Sequence, residues 1–260
     1  MTTTHPAPHA SGRPGAPGHP GAPGQAAAPG HPAAAEAAIS AHAGGDDAAL
    51  RRGFGPRVRR LHARIGAAHR QAEGMVFSRA LLEGQVSPFQ LAALLCALRP
   101  AYELLEEQGP ELAAALGSTA IPWAALARSQ ALAQDAEALA ALPAAPASAA
   151  AALWLEQLRV LAQQAPHRLM AHIYVRYGGD LSGGQQLGGQ ANAILQSYGL
   201  PALHFWAFNR PTPELKQALH DGFEQLDLSP AEEEELLEEA ESAFRATQRL
   251  LAELAELAPA

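Results

Sequence analysis

The stretch Tyr174-Val-Arg-Tyr-Gly-Gly-Asp-Leu-Ser-Gly-Gly-Gln185 sets four glycines, Gly178, Gly179, Gly183 and Gly184, within seven positions between segments that otherwise read as helix. Each glycine in a helix interior costs about 1 kcal/mol relative to alanine, so a helical reading must offset roughly 4 kcal/mol. One reading is a flexible loop joining two helices. The other is a kinked helix whose Cβ-free face lets a flat ligand lie against the backbone. Arg176, Gly179, Asp180 and Gly183 fall at i, i+3, i+4 and i+7, which puts an ion-paired carboxylate beside the bare patch and favours the second. A phosphate-cradling loop is a third reading, but the string lacks the G-x-x-x-x-G-K-[ST] pattern. Elsewhere, His69 and Glu73 lie one above the other on a helix face, so Glu73 can hold one imidazole nitrogen while the other ligates a metal. Alone, this is an ordinary surface histidine meeting an acid, and one histidine makes no zinc site. It does suffice as the axial ligand of haem iron, whose macrocycle brings four nitrogens of its own. A helix that offers a ligand and a second that offers a flat wall together describe a haem pocket.

Helices are the elements that must position these groups. Asp46 and Asp47 can cap a helix starting near Ala48, and Val58, Leu61, Ile65, Ala68, Ala72 and Val76 keep helical spacing as far as Leu82. Ser87-Pro88 then opens a second helix reaching about Gln108 and bent at Pro100, with Pro88 at the position where a missing N–H costs nothing. Pro110, Pro122, Pro143, Pro146 and Pro166 punctuate further helical segments, and a long segment from His167 to Tyr198 carries the glycine string. Two closing helices follow, from about Glu214 to Gln225 and from Ser229-Pro230 to Leu257, the last with Glu232 to Glu235 in its first turn where carboxylates suit the helix dipole. The expected fold class is all-α, without internal repeats, as a single domain over residues 47–260. Residues 1–46 are set apart by the repeated Ala-Pro-Gly-His-Pro at 16–20 and 28–32, a low-complexity composition that predicts a disordered tail. Its His5, His9, His19, His31 and His42 are irregularly spaced and lack supporting acids, so no metal site is expected there.

Composition narrows the function. A net charge of −8 offers no broad basic surface for a phosphate backbone, so nucleic acid is not an expected partner. The single cysteine, Cys96, sits in the apolar run 91–98 and reads as a core residue rather than a nucleophile. No stretch approaches the ~20 apolar residues that span a bilayer, and the expectation is a cytoplasmic protein without a membrane partner.

Tyr177-Gly-Gly-Asp-Leu-Ser-Gly-Gly-Gln185 resembles the distal-helix signature of the haem oxygenase family, and His69-Arg-Gln-Ala-Glu73 with Gly84-Gln-Val86 resembles its proximal segment. Similarity continues through Tyr102-Glu-Leu-Leu-Glu-Glu107, Arg128-Ser-Gln-Ala-Leu-Ala-Gln-Asp135 and the closing helices. The resemblance implies haem, at once cofactor and substrate, held between a proximal and a kinked distal helix. It further implies oxidative cleavage at a meso carbon to biliverdin, CO and ferrous iron, using O2 and electrons from a ferredoxin or flavin reductase, with a bilin photoreceptor as a possible biliverdin acceptor. By the same resemblance His69 is the iron ligand and Glu73 its acid; Gly179 and Gly183 are the distal glycines; Asp180 organises distal water with Arg176 and Tyr102. Tyr174 and Lys216 receive the haem propionates, and Phe244 forms an aromatic wall.

This chain departs from the family pattern at His62 and His220, where animal relatives often carry lysine and arginine. Partly protonated histidines in that rim would weaken propionate anchoring at neutral pH. Thr247 replaces a distal asparagine of some relatives, and residues 251–260 are neither long nor apolar enough for the C-terminal anchor of animal members. His172, seven residues before Gly179, is the rival ligand on the same face, but lies about 10 Å away along the axis. His167 and His204 read as ordinary exposed or boundary residues. The alternative function is a non-enzymatic haem-binding or haem-sensing protein on the same fold, against which an Asp180 proton relay speaks.

Overall fold

A computed structural model describes residues 54–257, all within one compact unit, Leu50–Ala260. The leader, with its repeats, its histidines and the Asp46–Asp47 cap, lies outside the described residues. Among the described residues there are ten helices and no strand: α1 Pro56–Glu73, α2 Val76–Leu82, α3 Pro88–Ala115, α4 Trp123–Leu126, α5 Ser129–Ala138, α6 Ala149–Gln164, α7 Pro166–Asp180, α8 Gly184–Ser197, α9 Thr212–Glu224 and α10 Pro230–Glu256. Proline stands in the first turn of α1, α3, α7, α9 and α10, and Ser87 and Ser229 each close a reciprocal capping box, with Gln90 and Glu232. The long α10 packs against α1, α2, α3, α6 and α7, joining the helix that bears His69 to the one that bears the glycine string.

Four expectations are corrected. The helix expected as far as Leu82 is two helices, because Gly74 caps α1 and the Ser78 hydroxyl donates to Ala72 O, turning the chain before α2. Pro110 does not end the second helix. α3 runs on to Ala115, since one missing N–H costs less than the burial of Leu105, Gly109 and Ala113 along its inner face. The segment expected over 167–198 breaks at residues 181–183: after Leu181 N to Tyr177 O, the N–H groups of Ser182, Gln185 and Gln186 donate to carbonyls three residues back, and Leu187 N to Gly183 O resumes the α-helical spacing, so the chain kinks through a tightened turn. Cys96 is exposed, not in the core: the buried stripe of α3 is Leu91, Leu94, Leu95, Leu98 and Tyr102, and position 96 faces away from it.

Candidate active site

The α7–α8 kink, α1, α2, the C-terminal half of α10 and the loop at 205–206 enclose a largely apolar pocket. His69 lines it from α1, with Glu73 Oε2 3.4 Å from its Nδ1. That contact holds the Glu73 carboxyl below the usual carboxylate range and assigns Nε2 as the nitrogen able to ligate. Phe244 of α10 meets the imidazole edge-on at 5.8 Å between ring centroids and lines the same pocket.

Gly179 and Gly183 line the opposite wall. Their value is space rather than backbone freedom: the positive-φ glycines among the described residues are Gly84, Gly117 and Gly199, and Gly183 is right-handed helical. A Cβ added at Gly179 or Gly183 would meet nothing within 4 Å, whereas one at Gly188 would come within 2.6 Å of Trp206 Cβ and one at Gly184 within 3.0 Å of its indole. Of the glycines in the pocket lining, Gly179 and Gly183 leave a bare wall, while Gly184, with Gly188 one turn on, lets Trp206 pack behind it. A flat macrocycle lying against backbone would use that bare wall, and a single histidine opposite suits a group that supplies its own equatorial nitrogens. The residues present thus fit haem. Among the described residues, no group of three or more His, Cys, Asp or Glu could hold a bare metal ion.

Asp180, next to Gly179 in the same pocket lining, is 4% exposed. Its Oδ2 accepts a short hydrogen bond from the Tyr102 hydroxyl, its Oδ1 lies 3.6 Å from Arg176 Nη2, and Arg176 Nε donates to the Tyr102 oxygen at 3.2 Å. Burial raises the Asp180 pKa, opposed by the Arg176 charge, the Tyr102 hydrogen bond and Arg128, and the net shift is upward. Tyr102 is pushed well above the ordinary tyrosine range, chiefly by its own burial, so it acts as a donor.

The remaining rim residues lie together but off this pocket lining. The rings of His62, Tyr174, His220 and Phe54 stack and meet edge-on with centroids 4.5–6.2 Å apart. His220 is 2% exposed, and burial, then Lys216 and His62, drive its pKa down to about 3. The partial protonation expected of His220 is therefore corrected: buried under Phe54, it is a neutral ring at any physiological pH. His172 does not reach the pocket, being fully buried with its Nδ1 accepting from Trp154 Nε1 at 3.1 Å and its Nε2 3.0 Å from Glu239. His167 at the boundary and His204 exposed stand as expected, and each meets an acid, Glu235 at 2.9 Å and Asp135 at 3.1 Å.

Sequence reasoning missed the supports of the 205–206 loop. Asp135, fully buried, accepts from the backbone N–H of His204 and Phe205, Arg128 donates to the carbonyls of Phe205 and Ala207, and Gln185 Nε2 bridges Asp180 O and Trp206 O. The signal that could have found them is the Arg128–Asp135 string, whose two ends hold this loop. Thr247 lines the pocket and donates its hydroxyl to Ala243 O of its own helix.

A family model described as Heme oxygenase matches residues 58–253. Heme oxygenase 1 of Pongo abelii is 32% identical over 206 residues, covering 73% of this chain, which spans 68% of that relative's length. Among solved structures, heme oxygenase-1 of the cyanobacterium Synechocystis in complex with heme superposes with a TM-score of 0.68 at 26% identity, over 77% of this chain and 92% of that one. The heme oxygenase of Leptospira interrogans gives 0.69 at 26% identity, over 76% and 100%.

Proposed function

Because the chain belongs to the haem oxygenase family, we propose that it oxidatively opens haem at a meso carbon, with O2 and externally supplied electrons, to biliverdin, CO and ferrous iron. The observation that carries this reading is the opposition, across one pocket, of a carboxylate-held His69 and a wall left bare by Gly179 and Gly183. Bound haem supplies the iron that takes up and reduces O2 and the carbon that is oxidised.

The protein's part is to hold, orient and supply protons. His69 would hold the iron through Nε2, with the charged Glu73 orienting the imidazole and raising its basicity. Gly179 and Gly183 would admit the macrocycle close to the α7–α8 backbone, with Phe244 as an aromatic wall beside His69. Tyr174, Lys216 and His62 serve the propionates, with His220 a neutral packing partner behind them. Asp180 borders the pocket beside these glycines and is the group that would organise water for proton delivery, with Tyr102 and Arg176 setting how readily it gives up a proton. Electrons come from a ferredoxin or flavin reductase in the cytoplasm, and a bilin photoreceptor is a fitting acceptor of the product.

The test is haem titration of the purified protein followed by reductant in air. A Soret band that gives way to a bilin spectrum supports the reading. A stable Soret band with no bilin makes the protein a haem binder only, and no Soret band removes both.

A further inference from the structure

We propose that Trp154 is a positioning residue for the Arg176–Asp180 pair, its indole face holding the Arg176 guanidinium against Tyr102 and so fixing how much positive charge Asp180 experiences. Trp154 stands on α6, which contributes nothing to the pocket lining, and is buried. The Arg176 guanidinium carbon lies 5.9 Å from the Trp154 ring centroid and 5.5 Å from that of Tyr102. The cation is thus flanked by two aromatic rings within the range where the ring quadrupole attracts it. Flanked in this way, it presents Nε to the Tyr102 oxygen and Nη2 to Asp180.

The indole is itself anchored. Its N–H donates to His172 Nδ1, which fixes the proton of the neutral imidazole on Nε2, the nitrogen 3.0 Å from Glu239 Oε1. Burial keeps His172 below its ordinary pKa, in the neutral form this tautomer requires. Glu239 also accepts from Gln157 at 2.8 Å and from Arg168 Nε and Nη2 at 2.9 and 2.6 Å. A chain of contacts therefore runs from α10 through α7 and α6 to Arg176, and at its far end the rigid element is the indole plane. The groups that act on Asp180 are Arg176 and Tyr177 of its own helix, Tyr102 of α3 and Arg128 before α5, while His69 and Glu73 line the same pocket from α1. Of these, Arg176 is the largest influence opposing burial, so loosening it raises the proton affinity of Asp180.

The inference rests on reading Asp180 as the proton-delivering group, but its test is made on the ligand-free protein. The carboxyl carbon of Asp180 is titrated by 13C NMR, its signal identified by its loss in Asp180→Asn. Trp154→Leu should move the midpoint upward, and Trp154→Phe, which keeps an aromatic face but not the N–H, should move it less. Tryptophans of increasing ring fluorination placed at position 154 keep shape and N–H while weakening the attraction for a cation, and should raise the midpoint in order. This series decides the matter if the leucine variant does not fold. A midpoint unmoved by fluorination, or moved equally by leucine and phenylalanine, overturns the proposal. A parent protein that makes no bilin, yet shows the ordered shift, sinks the functional reading and leaves the clamp standing.

Discussion

Tyr102 on α3 donates its phenolic proton to Asp180 Oδ2 on α7, a carboxylate 78 positions further along the chain. The bond couples the proton affinity of Asp180 to the packing of two helices that both line the pocket, α3 through Leu94 and Leu98 and α7 through Gly179. It also opposes burial, since it favours the charged form of a group that desolvation would protonate.

Removing either partner should separate binding from turnover. Asp180→Ala should bind haem with a normal Soret band and form bilin about 100-fold more slowly, the usual scale for loss of a positioned acid. Tyr102→Phe withdraws a hydrogen bond from the charged carboxylate, so Asp180 should hold its proton to higher pH and the limb of the turnover profile set by Asp180 should move upward. Single-turnover bilin formation across pH checks both, and unchanged turnover in Asp180→Ala would remove its assigned role.

His69→Ala should lose the ligated haem spectrum while the fold persists, because the histidine side chain is half exposed and its packing contribution is small. Added imidazole should restore that spectrum. Glu73→Gln keeps the size and loses the charge, and haem affinity should fall by about tenfold, the low end for a partner that orients a metal-bound histidine. Spectral titration of the three proteins reads both effects.

Glycine substitutions should sort by what lies beyond their missing Cβ. Gly179→Ala has open space and a helical position to gain from, so the ligand-free protein should be stabilised by up to about 1 kcal/mol while haem affinity drops. Gly188→Ala pushes into Trp206 and should destabilise the protein by about 1–3 kcal/mol whether or not haem is present. Urea unfolding midpoints, paired with haem titration, distinguish the two.

Stability should fall with acid through His220. Its folded pKa of about 3 lies below the unfolded value of about 6.5, so between these limits only the unfolded chain takes up the proton. The contribution is whole above pH 6.5 and is lost as pH falls, at about 1.4 kcal/mol per pH unit for one group. His172, also depressed by burial, adds in the same direction. His220→Phe, which suits the ring cluster, should flatten the slope of unfolding free energy between pH 6.5 and 4 by one group's share. An unaltered slope would show that His220 is not buried in solution.

Much of the site was legible because it is local. His69 and Glu73 meet through helical spacing alone, as do Arg176 and Asp180, so both pairs follow from residue type and a 3.6-residue repeat. The cap residues and prolines likewise placed the starts of α3, α7 and α10 to within a residue or two, since they act within one turn. The glycine string announced a kink because no helix of ordinary composition keeps four glycines without a use for them.

What depends on separation in sequence was decided by tertiary structure alone. The two roles of the glycines cannot be told apart until Trp206, some twenty positions on, is seen against Gly184 and Gly188 and absent from Gly179 and Gly183. The family resemblance gives His220 the look of a titrating rim base, and it becomes neutral because burial beside Phe54 and Tyr174, from two other segments, and the nearby Lys216 and His62 disfavour its charge. Cys96 faces out because the stripe that enters the core is chosen by the helices packed on α3, not by local hydrophobicity. Asp180 draws its character first from burial and then from Arg176 of its own helix, to which the fold adds Tyr102 and Arg128 from distant segments. Sequence fixes which groups share a helix face, but charge state and open space are sums over neighbours that only folding brings together.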